Sequence, residues 1–377
     1  MNRRERLMAT LRGEQVDRPP VSFYELNGMN QDPDDSDPFN IFNHPSWRPL
    51  IDLAREKTDR IVLRGVSFAR IQPDPIESIS EAKTYMRDGN RFTRRRIQIG
   101  TRTLTSLTRR DPGIDTVWTV EPLLKNVDDL KAFLEIPEPD SKGAMATEAV
   151  IQAETALGDT GIVMIDTPDP LCLAAGLFDL ADYTVIALTE QALFHRLLER
   201  FASTLLPKTE AVAKALPGRL WRIFGPEYAS SPFLPPYLFR EYVCRYVRPM
   251  VETIQRFGGF ARIHSHGNLK AILDDIAALG ADALDPIEPP PQGDVELAYV
   301  RERYGRDMVL FGNLESNDIE NLPTDRFAEK IKRALEEGTS GTGRGFVLMP
   351  SSCPYGRELP ALALRNYEKM VELVEAF

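Results

Sequence analysis

From residue 145 onward the sequence repeats one pattern, in which a short and almost continuously apolar run follows each helical stretch. The runs are GIVMI (161–165), RLWRIF (219–224), FARIH (260–264), DALDP (282–286), MVLFG (308–312) and GFVLM (345–349). Helical periodicity marks 145–157, 174–189, 190–214, 235–257, 268–279, 294–304, 324–337 and 360–376. A strand that is apolar throughout must be covered on both faces. Parallel strands joined by right-handed helical crossovers meet that need. Upstream, a helix over 3–12 stops at Gly13, and 21–24 reads as a first strand. A helix over 46–57 and a strand over 60–63 follow. About eight strand–helix units result, and at 377 residues the expected fold is a (β/α)₈ TIM barrel forming one domain over 1–377. The rival, an open doubly wound sheet, would carry a Gly-rich phosphate turn after its first strand. No GxGxxG or GxxxxGK[ST] opens a helix here, and GTSGTGRG (338–345) leads into a strand instead.

The N-terminal third breaks the rhythm. Residues 83–120 alternate and are rich in Thr and Arg, with Asp88-Gly89 and Ile99-Gly100 as turn signals. This predicts an antiparallel β-hairpin insertion over about 83–122. A helix over 127–134 then resumes the α/β order.

Charge and cysteine content narrow the function. The 46 basic and 56 acidic residues give a formal net charge of −10. A nucleic-acid partner needs a concentrated basic face, so none is expected. The short clusters Arg3-Arg4 and Arg94-Arg95-Arg96 read as solvated. Three cysteines do not make a disulfide framework, and they point to a reducing compartment. The N-terminal segment lacks an apolar signal core, and no apolar run reaches membrane length. The expected location is cytoplasmic.

His264-Ser265-His266-Gly267 stands where the FARIH run ends. Residues two apart in an extended segment point to one side, so both imidazoles can face one point. In a barrel that point lies on the C-terminal rim, where active sites form. Cys353, in the loop after GFVLM, belongs to the same rim. Two imidazoles and a thiolate suit a zinc ion with an open fourth position. Cys172 and Cys244 read as core residues on apolar helical faces. Other polar residues fall at strand ends. Glu227 and Glu288 are expected to be catalytic, Glu227 as a fourth ligand or proton carrier. Glu288 or Glu315 is expected to orient a metal-bound histidine. Asp166, Tyr228, Asn313 and Glu315 are expected to contact substrate.

Long segments resemble the uroporphyrinogen decarboxylase superfamily: RERLMATLRGEQVDRPPV at the start, DPLCLAAGLFDLADYTVIAL mid-chain, HSHGNLKAILDDIAALGADALDPIEP, VLFGNLE and SSCPYGRELPALALRNYEKMVE. The resemblance runs over nearly the whole chain and implies its barrel. The decarboxylases carry an arginine-rich PxWxMRQAGR-like motif, whereas PVSFYE (20–25) stands here without an arginine. A polycarboxylate tetrapyrrole needs such cations, so porphyrinogen decarboxylation is not expected. The insertion and the segment after it, through TVWTVEPLLKNVDDLKAFL, are similar to the corrinoid-dependent methyltransferase branch. That branch carries H-x-C-G and a later Cys as its zinc motif, and the matching positions are His264, His266 and Cys353. His266 stands in place of a cysteine, which removes one thiolate and leaves a zinc there a stronger Lewis acid.

The resemblance implies a zinc-dependent methyltransferase moving a methyl group between a corrinoid (methylcobamide), held by a partner protein, and a thiol or another small acceptor. It also makes a homodimer plausible. The alternative is a lyase, metal-assisted or metal-free, on a small anionic substrate, and a third reading is a barrel that has lost activity and serves as a binding partner.

Overall fold

The computed structural model of the chain describes residues 1–70, 74–139 and 143–377. In chain order the strands are β1 (Arg60–Arg64), β2 (Ser67–Arg70), β3 (Ser80–Arg87), β4 (Asn90–Ile99), β5 (Arg102–Arg110), β6 (Val117–Glu121) and β7 (Gly143–Ala146). They continue as β8 (Gly161–Pro168), β9 (Leu220–Phe224), β10 (Phe260–His264), β11 (Ala283–Asp285), β12 (Val309–Leu314) and β13 (Phe346–Pro350).

Seven of these form one curled parallel sheet in the order β1-β8-β9-β10-β11-β12-β13. Its two outer strands are bridged by the segment expected as the first strand. Ser22 N donates to Leu348 O, Leu348 N donates to Pro20 O, and Asp59 N donates to Val21 O, at 2.7–3.0 Å. That segment makes bridges at Val21 and Phe23 only and forms no full strand. Pro19 and Pro20 lack the amide hydrogens that a longer ladder would use.

Side chains of the curled sheet sort into two layers. Ile61, Ile162, Met164, Leu220, Val309, Phe311, Val347 and Met349 pack together on the inner side. Val62, Val163, Ile165, Ile223, Ile263, Leu310 and Leu348 join the outer layer under the helices. This two-sided burial is why the strands read as continuous apolar runs. The helix Arg3–Arg12 adds Leu7 and Leu11 to the inner cluster. Each buried leucine of this kind is worth about 1.5–3 kcal/mol over exposure.

A separate antiparallel sheet has the order β3-β4-β5-β6 and spans 80–121. A short antiparallel pair, β2 with β7, was not expected from the sequence. Its strand β7 takes residues 145 and 146 out of the expected 145–157 helix, which starts at Glu148. The expected 174–189 helix is two helices, Pro170–Ala175 and Leu180–Thr189, each capped by an aspartate, Asp169 and Asp179. The expected 268–279 helix shortens to Leu273–Ala278. Asp294 Oδ1 accepts from the Leu269 and Lys270 amides, satisfying them outside a helix. Among the described residues no helix is long and apolar enough to cross a membrane.

Candidate active site

Strand register builds the site. Asp166 of β8, Arg222 of β9 and Arg262 of β10 lie in one row across the sheet. Two residues further along β10, His264 pairs with Asp285 of β11. Charged side chains thus occupy the end of the inner layer that the strands' C-termini reach, above its apolar part.

Arg222 organises the near side. It grips Asp166 through Nε (2.6 Å) and NH2 (3.0 Å) in a bidentate pair. Its NH1 donates to the Tyr24 hydroxyl (2.7 Å) and to Glu25 Oε1 (2.8 Å). These residues line a cavity of about 550 Å³ together with Phe42, Asp115, Cys353 and Tyr355.

The histidines form the far side. Their rings stand perpendicular with centroids 4.6 Å apart. His264 Nδ1 meets Asp285 Oδ2 at 2.8 Å, and His266 Nδ1 meets Glu288 Oε1 at 2.9 Å. Both carboxylates are charged acceptors, so each ring carries a proton on Nδ1. Tyr24 Oη lies 3.2 Å from His264 Nε2 and donates to it. Burial opposes the charge on Asp285, but Arg262 and His264 override it and hold the carboxyl below its ordinary range. Arg262 Nε lies 3.0 Å from Asp285 Oδ1, an ion pair without hydrogen-bond alignment. Burial likewise opposes charge on His266, yet the Glu288 contact and further carboxylates raise its pKa.

Two more carboxyls stand nearby. Glu315 is buried, with Oε2 3.3 Å from Ser351 Oγ and Oε1 unpaired. Burial and the neighbouring Glu288 raise its pKa to about 7. Asp169 is fully buried with Oδ2 unpaired, and burial and Glu227 keep it protonated far above its usual range. Gly225 brings Glu227 close to it. At φ +117°, a Cβ there would fall 2.3 Å from Cys172 Cβ and 2.6 Å from Asp169 Oδ1.

The expected site residues separate into groups. Asp166 and Cys353 line the large cavity, which reaches His264 through Tyr24. Glu288 holds His266. Asn313 and Glu315 line a second cavity of about 140 Å³, with Pro289, Asp318, Lys330 and Arg333. Glu227 and Tyr228 lie beside Asp169 and Cys172, and Tyr183 Oη donates to the Tyr228 carbonyl (2.7 Å). Cys244 is partly buried and packs against the main core, as expected, whereas Cys172 is partly buried beside these carboxyls in place of a core position.

Donor chemistry fits a zinc ion at His264 and His266, since a carboxylate behind each Nδ1 is the usual carriage of a zinc-bound histidine. The third expected donor is turned elsewhere. Cys353 Sγ lies 3.7 Å from Phe23 O and donates to it, and burial with the Glu25 charge pushes its thiol up. Among the described residues no three His, Cys, Asp or Glu side chains gather within reach of one metal ion. Sequence reading missed Tyr24, Glu25, Arg222 and Arg262. For the two arginines the signal was available, because LWRIF and FARIH each place an arginine in mid-strand, on the same side as the site residue two positions later in FARIH.

The sequence profile of uroporphyrinogen decarboxylase (URO-D) matches residues 115–377. The chain belongs to the uroporphyrinogen decarboxylase family. The matched region holds every strand from β6 to β13 and all three expected metal donors. Among solved structures, a methyltransferase from Methanosarcina mazei superposes with a TM-score of 0.60 at 17% identity, covering 100% of this chain and 99% of that one. At that identity it shows a shared fold. A D-psicose 3-epimerase crystallised with D-fructose also aligns, at 8% identity and TM-score 0.34 over 61% of this chain and 92% of that one, too low to bear on the fold. No curated protein matches the sequence. In this URO-D family member the segment 20–25 brings Tyr24 and Glu25 to the cavity, with no arginine.

Proposed function

We propose that this chain is a methyltransferase acting on a small molecule, with a zinc ion held by His264, His266 and Cys353. The scaffold is then a closed (β/α)₈ barrel over one domain, with 20–22 as its eighth stave. The methyl group passes between a corrinoid and a thiol or other small acceptor. The observation that carries the reading is the pair of imidazoles, each with a carboxylate on Nδ1. The Methanosarcina mazei methyltransferase, of like fold, supports the reaction class. The three unpaired cysteines suit a cytoplasmic setting.

When bound, zinc lowers the pKa of an acceptor in its open position. The rest falls to the chain. Asp285 and Glu288 fix the tautomer and orientation of the two rings. Arg222, clamped on Asp166, sets the position of Tyr24 over His264. Glu315, with its pKa near 7, can hold or release a proton at Oε1 behind Glu288.

A small anionic substrate fits the cavity poorly. Its lining carries three carboxylates, Glu25, Asp115 and Asp166, and one guanidinium, Arg222, already bonded to two of them. The lyase reading loses ground for that reason. The test is metal content of the purified chain beside His266→Ala and Cys353→Ser, followed by demethylation of methylcobalamin in the presence of thiols. About one zinc per chain, lost in both variants, is expected. A zinc-loaded chain that methylates no thiol would sink the proposal, as would a wild type that takes up no zinc.

A further inference from the structure

The outer wall of the large cavity comes from three distant stretches of chain. Phe42, Asp115 and Tyr355 line it. Asp115 belongs to the loop that joins β5 to β6, so the β insertion reaches the cavity through its tip. That tip is paired with the loop after β13. Asp115 N donates to Tyr355 O (2.8 Å), and Arg357 N donates to Gly113 O (2.9 Å).

Arg357 fastens all three stretches. Its NH1 donates to Pro38 O (2.9 Å) and to Pro112 O (3.1 Å), and its NH2 donates to Asn43 Oδ1 (2.7 Å). Its own carbonyl accepts from Trp47 Nε1 (3.0 Å), and the Trp47 ring packs edge-on against Phe42. One guanidinium therefore bonds the segment around 38–43 and the insertion tip together.

We propose that residues 111–115 form a movable wall of the cavity, and that Arg357 is the positioning residue that holds it closed. The inference rests on the cavity being the place of the small molecule in the reading above, and not on a metal. The insertion has a fixed root and a loosely held tip. Ile97 and Leu104, opposite each other on β4 and β5, are buried in the main core. No residue of 111–115 joins either hydrophobic cluster, and Gly113, Asp115 and Tyr355 are exposed. Polar bonds near solvent are thus what keep the tip down, and segments held in that way open at low cost. The closed position also leaves Arg110 Nε buried without a hydrogen-bond partner among the described residues, which works against closure. Closed, the wall sets Asp115 and Tyr355 against a bound molecule and keeps water out. Lifted, it widens the mouth for entry and release.

The experiment is the reaction of the full chain with fluorescein maleimide, a bulky thiol reagent, with a chelator present throughout. Peptide mass spectrometry reads each cysteine in wild type, Arg357→Lys and Arg357→Ala. Cys353 lines the cavity, and Cys244, whose thiol faces the Asp275 carbonyl, is the internal reference. Loss of the guanidinium bonds is expected to raise the Cys353-to-Cys244 rate ratio about tenfold to a hundredfold in Arg357→Ala. Arg357→Lys is expected to fall between, because an ammonium cannot span the partners that the planar fork reaches. An unchanged ratio overturns the wall, and so does an equal quickening at both cysteines, which marks general loosening. A chain that takes up no zinc removes the metal from the proposed function and leaves this ratio as expected, so the two readings fail separately. If Arg357→Ala does not fold, hydrogen exchange of the wild type decides. The Asp115 and Arg357 amides are expected to exchange together, about a hundredfold faster than the β8 amides. Exchange as slow as in β8 overturns the wall.

Discussion

Asp285 joins His264 to Arg262, accepting from His264 Nδ1 at 2.8 Å on one oxygen and facing Arg262 Nε at 3.0 Å with the other. All three side chains are buried. The carboxylate therefore does two jobs, fixing a ring and neutralising a guanidinium that cannot lose its charge. In Asp285→Asn, an amide carbonyl can still accept from Nδ1, but the NH₂ then faces Arg262. The expected result is a loss of roughly 3–5 kcal/mol in stability, as for one partner removed from a buried pair. Zinc affinity is expected to fall about 10- to 100-fold, as for other carboxylates behind a metal-bound histidine. Chemical unfolding and chelator competition check the two parts.

Glu315 makes stability depend on pH. Its folded pKa is about 7, above the ordinary 4.5. Between those values the folded state binds more protons than the unfolded one, so this group's contribution falls as pH rises from about 4.5 to about 7. Below that window both states are protonated and the penalty is absent. Glu315→Gln is expected to flatten the decline in unfolding free energy between pH 5 and 8, by an amount on the order of a few kcal/mol at most. An unaltered pH profile in the variant would count against the assignment.

Asp59 pins the bridging segment. Its Oδ1 accepts from Arg6 NH1 (2.6 Å), and its Oδ2 accepts from Val21 N and Arg18 NH1, both at 2.9 Å. Asp59→Ala leaves Arg6 with Asp17 as its remaining carboxylate partner, at 2.7 and 2.9 Å, and frees the buried Val21 amide. A loss of about 2–3 kcal/mol is expected, read as a lower melting temperature. Glu154→Ala serves as the control, since its pair with Arg219 is partly exposed, and about 1 kcal/mol or less is expected there.

Gly225 sits at a place where no side chain fits. Gly225→Ala would press a methyl group on Cys172 and Asp169 at a left-handed φ. A loss of about 2–4 kcal/mol is expected from strain and overpacking together. Hydrogen exchange at Tyr228 and Ser230 should quicken, because that turn hangs on Gly225 and Glu227.

The sequence carried the sheet well. Strands such as 161–165 and 345–349 are buried on both faces, so their apolar character survives without any context. Helix limits were less legible where a side chain from elsewhere captured the backbone, as Asp294 does at Leu269 and Lys270. The H-x-H pair was legible because its spacing alone puts both rings on one side. Its partners Asp285 and Glu288 were visible as strand-end acids, but nothing local says which ring each one holds. Tyr24 and Glu25 could not be found from spacing, since 198 and 197 residues separate them from Arg222. Their meeting depends on how the sheet curls. Cys353 was placed on the right rim, but its present partner is a backbone carbonyl 330 positions away.

That same curl sets a condition on how the chain can be made. The contacts of Pro20 and Ser22 with Leu348 join the first segment of the chain to the last strand. During synthesis, β1 and β8 can pair early, but the bridge must wait until residue 348 has left the ribosome. Until then Leu7 and Leu11 have no finished cluster to enter, and an unpaired apolar strand edge stays open to other chains. A nascent chain of this design spends most of its synthesis in a state that needs shielding. Ribosome-stalled chains ending before β13 should be captured by chaperones, and release should follow once that strand is added.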